Sequence, residues 1–135
     1  MSAFATLRAP SLEDLAALAE AAFAGLPGRF RQLAGDVVFR VDDFAPDEVL
    51  DDLGLEDPFE LTGLYQGVSL ARRSSFDPSP EPARIFLYRR PILDEWAERG
   101  DLSLGELVTH VLVHEIGHHF GLSDDDIDAI EAAAD

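Results

Sequence analysis

The segment His114-Glu115-Ile116-Gly117-His118 constrains this chain more than any other. Histidines at i and i+4 of a helix stand about 40° apart round the axis and about 6 Å apart along it, so both imidazoles leave one face and can grip a single metal ion. Glu115 lies about 100° round from His114, where it can serve a water at such an ion without being a ligand. With His114 as origin, Leu104, Leu107, Val108, Val111, Leu112 and Ile116 fill one apolar arc, and Glu115 falls inside it between Leu104 and Val108. An ionised carboxylate in an apolar sector costs free energy unless something compensates it, as a neighbouring divalent cation would. Ser103 predicts the N-cap of this helix, with Glu106 completing a capping box. Phe120-Gly121 predicts its stop.

Two histidines rarely hold a catalytic zinc alone; three protein ligands plus water is usual. Gly121 lets the chain reverse, which favours Asp124 as the third ligand ahead of Asp125 and Asp126, although acids at a helix start also stabilise its N-terminus without any metal. His119 points into the apolar arc and reads as a buried histidine with one hydrogen bond. His110 lines the same face as His114, but His110 and His118 are about 12 Å apart along the axis, too far to share one ion. Asp124, Asp126, Asp128 and Asp135 imitate a calcium loop, but Ala129 stands where that loop needs glycine, so calcium is rejected.

At 135 residues the chain has the size of a single domain, 1–135, and a hydrophobic fraction of 47% supplies a real core. The formal charge is −17, with only 10 Lys+Arg against 27 Asp+Glu. That argues against nucleic acid and anionic membranes, and reads as a solvated acidic surface. Cysteine is absent, so any zinc must be held by His and carboxylate. No signal peptide or transmembrane run is evident, which points to a cytoplasmic protein, taken as a monomer.

Along the chain, Ser11 opens a helix that runs to about Gly25, and residues 26–34 form a turn or short helix. Residues 36–41 read as a strand, residues 46–53 as a short helix ended by Gly54, and residues 61–70 as a strand or extended edge segment. Residues 74–82, with three prolines, form a loop. Residues 84–88 are a strand, residues 91–98 a short helix, and residues 124–134 a last helix capped by Ser123. A helix, a small sheet and then helices argue an α+β fold.

The HEIGHHFGLSD stretch matches an HExxHxxGxxD form, and with Gly63-Leu64-Tyr65-Gln66-Gly67 and the run from Arg84 to Pro91 the chain resembles small bacterial zincin-like metallopeptidases with a matrix-metalloprotease-like domain. The resemblance implies a minimal zincin fold: a small mixed sheet, an active-site helix and a short C-terminal helix. It implies His114, His118 and Asp124 as zinc ligands and Glu115 as general base. Larger metzincins carry a methionine turn and commonly use histidine at the third position; here Met1 is the only methionine and the third position is Asp124. The expected activity is zinc-assisted hydrolysis of a peptide or protein substrate. The strand around residues 63–67 could pair with an extended substrate, and Tyr65 and Gly67 are candidate substrate contacts, Tyr65 as an oxyanion donor or simply a packed aromatic. The rival readings are a non-catalytic zinc-containing binding module and a zinc amide hydrolase acting on a small molecule.

Overall fold

The computed structural model describes residues 3–35, 37–67 and 82–126. After a 3-10 turn at Ala3–Thr6, helix α1 runs over Leu12–Ala24. Its start is a full capping box: the Ser11 hydroxyl accepts from the Asp14 amide at 3.1 Å, and the Asp14 carboxylate accepts from the Ser11 amide at 2.8 Å. Helix α2 (Gly28–Leu33), strand β1 (Val38–Asp42) and helix α3 (Asp47–Leu53) come next. A second 3-10 turn at Pro58–Glu60 leads into β2 (Gly63–Gln66). Strand β3 (Arg84–Tyr88) passes straight into α4 (Arg89–Arg99), and α5 spans Leu104–His119.

The three strands form one mixed sheet in the order β1-β3-β2. β1 runs parallel to β3, with Val38 opposite Arg84 and Asp42 opposite Tyr88. β2 runs antiparallel to β3, with Gly63 opposite Leu87 and Gln66 opposite Arg84. The alternation of β3 divides the core. Ile85 and Leu87 turn toward the helices and pack with Leu15, Ala19, Leu107, Val108, Leu112 and Ile116. Phe86 and Tyr88 turn the other way, to Ala45 and Leu50. α5 thus rests on α1 and on the sheet, the arc of leucines, valines and isoleucine inward. Removing one of these buried side chains, as in Leu112→Ala, would cost about 2–5 kcal/mol.

The structure revises several expected boundaries. β1 begins at Val38 rather than at residue 36, and Asp36 lies outside the described residues. β2 has four residues, not ten: Gly67 already leaves the strand, and residues 68–70 lie outside the described residues, as do residues 74–81 of the expected loop. α4 starts at Arg89, two residues early. There the Arg89 guanidinium donates to the Pro10 carbonyl at 2.6 Å and to Asp43 at 3.0 Å, which anchors the first turn ahead of Pro91. Ser103 does cap α5, but Glu106 closes the box differently: its carboxylate accepts from the Ser103 hydroxyl at 3.1 Å instead of from the Ser103 amide. Residues 124–126 form the helical turn expected after Ser123; residues 127–134 of that expected helix lie outside the described residues.

Candidate metal centre

The end of α5 builds the site. The helix stops at Phe120, and Gly121 takes φ 87°, a left-handed conformation that costs a residue with a Cβ roughly 1–2 kcal/mol. The Gly121 amide donates to the His118 carbonyl at 2.9 Å and the Leu122 amide to the Gly117 carbonyl at 3.0 Å. These two bonds are a Schellman closure, which satisfies the last carbonyls and turns the chain back over the helix. The reversal brings two acceptors onto the histidines. The Leu122 carbonyl lies 3.1 Å from His118 Nδ1, and Asp124 Oδ1 lies 2.9 Å from His114 Nε2 and 3.0 Å from His118 Nε2. The two imidazoles meet edge to face, with centroids 5.0 Å apart.

These contacts settle one tautomer. A carbonyl oxygen can only accept, so His118 Nδ1 carries a proton. In the neutral ring His118 Nε2 is then a bare lone pair, aimed at a carboxylate oxygen that is also rich in lone pairs. Such an arrangement is favourable only with a positive charge between or on the groups: an extra proton, or a cation held by all three atoms. The donor set of two imidazoles and a carboxylate, one imidazole already oriented through its other nitrogen, is the kind that suits zinc.

Glu115 lines the same cleft as these groups, between the histidines and the buried arc of α5. It is 7% exposed, its side chain makes no hydrogen bond or ion pair to a described residue, and it opens to the cleft rather than being sealed in the core. Burial pushes its carboxyl above the usual carboxylate range; the charges of His118 and His114 pull it partly back, and Asp124 adds to the rise. Ligand-capable atoms of His114, Glu115 and His118 all lie within 4.8 Å of one another, so these three residues are placed to hold a metal ion. Asp124 Oδ1 sits tighter against both histidines than that limit requires.

This cleft of ≈ 890 Å³ opens over these groups, and Thr62, Gly63, Leu64 and Tyr65 form one wall. Of the other residues singled out from the sequence, His110 lines the cleft one turn before His114 and stays outside the metal-capable group. Asp126 is turned to Ser123, whose hydroxyl accepts from its amide at 3.2 Å. His119 is buried at 2% exposure and its Nδ1 is hydrogen-bonded to Tyr65 Oη at 2.7 Å. Gly67 stands past the end of β2, packed toward Ala83 and away from the cleft lining. Sequence reasoning did not find the Leu122 carbonyl as the group that orients His118. It also missed the close passage of Gly63 against Val111 and Glu115, for which a glycine inside a strand was the available signal.

The family profile of zincin-like metallopeptidases matches residues 34–134, well over half of the chain. The chain belongs to that family. Membership makes it a metallopeptidase at family level and implies a metal at the group formed by His114, Glu115 and His118. No curated protein matches the chain. Among the described residues, no helix of this zincin-like chain is long and apolar enough to cross a membrane.

Proposed function

We propose that the protein is a zinc-dependent peptidase in which His114, His118 and Asp124 hold the ion and Glu115 is the general base. One observation carries the reading: two imidazole nitrogens converge at 2.9 and 3.0 Å on a single Asp124 oxygen, beside a buried carboxylate with no hydrogen bond among the described residues. Zinc held by these residues would supply Lewis acidity for activating a water and polarising a carbonyl. Glu115 is suited to the proton work. Its raised proton affinity lets it take a proton from the attacking water and hand it to the leaving amine. The Leu122 carbonyl holds the His118 ring in one orientation and tautomer. β2 offers the substrate a backbone: one of its sides pairs with β3, and no described strand pairs with the other. An extended peptide laid along that other side would cross the cleft next to Glu115.

The test is cleavage of an unstructured protein by zinc-loaded wild type and by Glu115→Gln, with new N-termini read by mass spectrometry. Wild type should cut, and Glu115→Gln should bind zinc equally while losing about 10²–10⁴-fold in rate, the range for removing a general base. Equal cutting by both proteins would refute the role of Glu115. Zinc binding without cutting by wild type would favour the non-catalytic module.

A further inference from the structure

Strand β2 lies along α5, and the two touch at two matched steps. At the first, a Cβ on Gly63 would stand 2.8 Å from Val111 Cγ1 and 3.3 Å from Glu115 Cγ, so any larger residue would push the strand or Val111 aside. At the second, Tyr65 Oη is hydrogen-bonded to His119 Nδ1 at 2.7 Å, with the two rings 5.5 Å apart. Two strand residues advance about 6.6–6.8 Å and four helix residues about 6 Å. The step from Gly63 to Tyr65 therefore matches the step from Glu115 to His119. Side chains alternate along a strand, so residues 63 and 65 face the helix while Leu64 packs with Phe86 on the opposite side.

The two contacts do different jobs. The ladder to β3 fixes β2 within the sheet. The Gly63 contact sets how near the strand lies to α5, but apolar packing between sheet and helix has no direction and tolerates sliding of the sheet along the helix. A hydrogen bond does not. His119 is buried, so a shift of β2 that broke its bond would leave a polar nitrogen to lose that partner away from water, which opposes the shift. We propose that Tyr65 and His119 are positioning residues. They hold β2 at one offset along α5, and so fix where a peptide laid on β2 presents its scissile bond to Glu115. This rests on the peptidase reading above and adds to it the device that sets the substrate register.

The experiment uses the zinc-loaded full chain and two chelating probes. Acetohydroxamate touches only the metal; a dileucyl hydroxamate also lies along the substrate wall. In Tyr65→Phe, zinc and acetohydroxamate affinity should be unchanged, while the dileucyl hydroxamate should bind about tenfold more weakly, the equivalent of one lost hydrogen bond. His119→Leu should weaken the dileucyl hydroxamate in the same direction, and the double variant should lose less than the sum of the two singles, because both substitutions break the same bond. His119→Asn, which keeps an amide near the Nδ1 position, should recover most of the affinity. In metal-free Tyr65→Phe, the nitrogen resonances of His119 should move and those of His114 and His118 should not. Unchanged binding of the dileucyl hydroxamate in both single variants overturns the proposal. So does equal weakening of both probes, which would place the pair's effect at the metal. Wild type that takes up neither zinc nor acetohydroxamate overturns the peptidase reading, and this proposal with it.

Discussion

On the core-facing side of α5, Leu107, Val108, Leu112 and Ile116 are buried among apolar neighbours, and even the polar His119 is hydrogen-bonded to Tyr65. On the cleft-facing side, His114 and His118 crowd one carboxylate oxygen, and Glu115 is buried at 7% exposure with its carboxyl pushed toward the protonated form. One helix therefore carries a side whose groups are all satisfied and a side whose groups ask for a cation. Clusters of titratable groups crowded in this way collect at functional sites. Substitutions on the two sides should accordingly fail in different ways.

The largest contrast sets Asp124→Asn against Leu112→Ala. Asp124→Asn should weaken zinc binding well beyond the tenfold to hundredfold typical of groups that only orient a ligand, and should cost the metal-free fold no more than about 0.3–1 kcal/mol. Leu112→Ala should cost about 2–5 kcal/mol in denaturant unfolding and leave the zinc affinity of the folded protein near wild type. Competition titration with a metal indicator, paired with urea melts, reads both. If Asp124→Asn binds zinc like wild type, the division fails on the cleft side.

Gly121→Ala should cross the division, because one turn serves both sides. The left-handed φ should cost roughly 1–2 kcal/mol of stability, and displacement of the Leu122 carbonyl and Asp124 should weaken zinc roughly tenfold to hundredfold. A loss of stability with zinc affinity intact would show that the reversal does not set the ligand geometry.

The smallest effect belongs to Glu115 in the metal-free protein. Its folded-state proton affinity is raised, so the carboxyl destabilises the fold as pH climbs from its ordinary value of 4.5 upward, when the unfolded chain ionises more readily than the folded one. Below that pH both states are protonated and the penalty vanishes. Glu115→Gln should therefore raise the metal-free melting temperature at pH 7 and leave it close to wild type at pH 4. A variant less stable than wild type at pH 7 would mean that the buried carboxylate has a partner.

How much could be read from the sequence depends on how local the cause is. The ends of α3 and α5 were legible because Gly54 and Gly121 close their helices by themselves, and Ser103 caps α5 within four residues. The extent of β2 was not, because pairing ends where β3, a five-residue strand, ends. The early start of α4 depends on Arg89 reaching Pro10, far off in sequence. At the site, helical spacing and a glycine were enough to anticipate that His114, His118 and Asp124 come together. The Tyr65–His119 bond joins positions 54 residues apart, and no periodicity in the chain encodes it.

The central claim is that the cleft-facing side of α5 exists to hold a metal. Elemental analysis after equilibrium dialysis against zinc tests it most directly, comparing wild type with the His114→Ala, His118→Ala double variant at matched fold content. The account predicts one zinc per wild-type chain and none in the double variant. Equal zinc in the two proteins would contradict it.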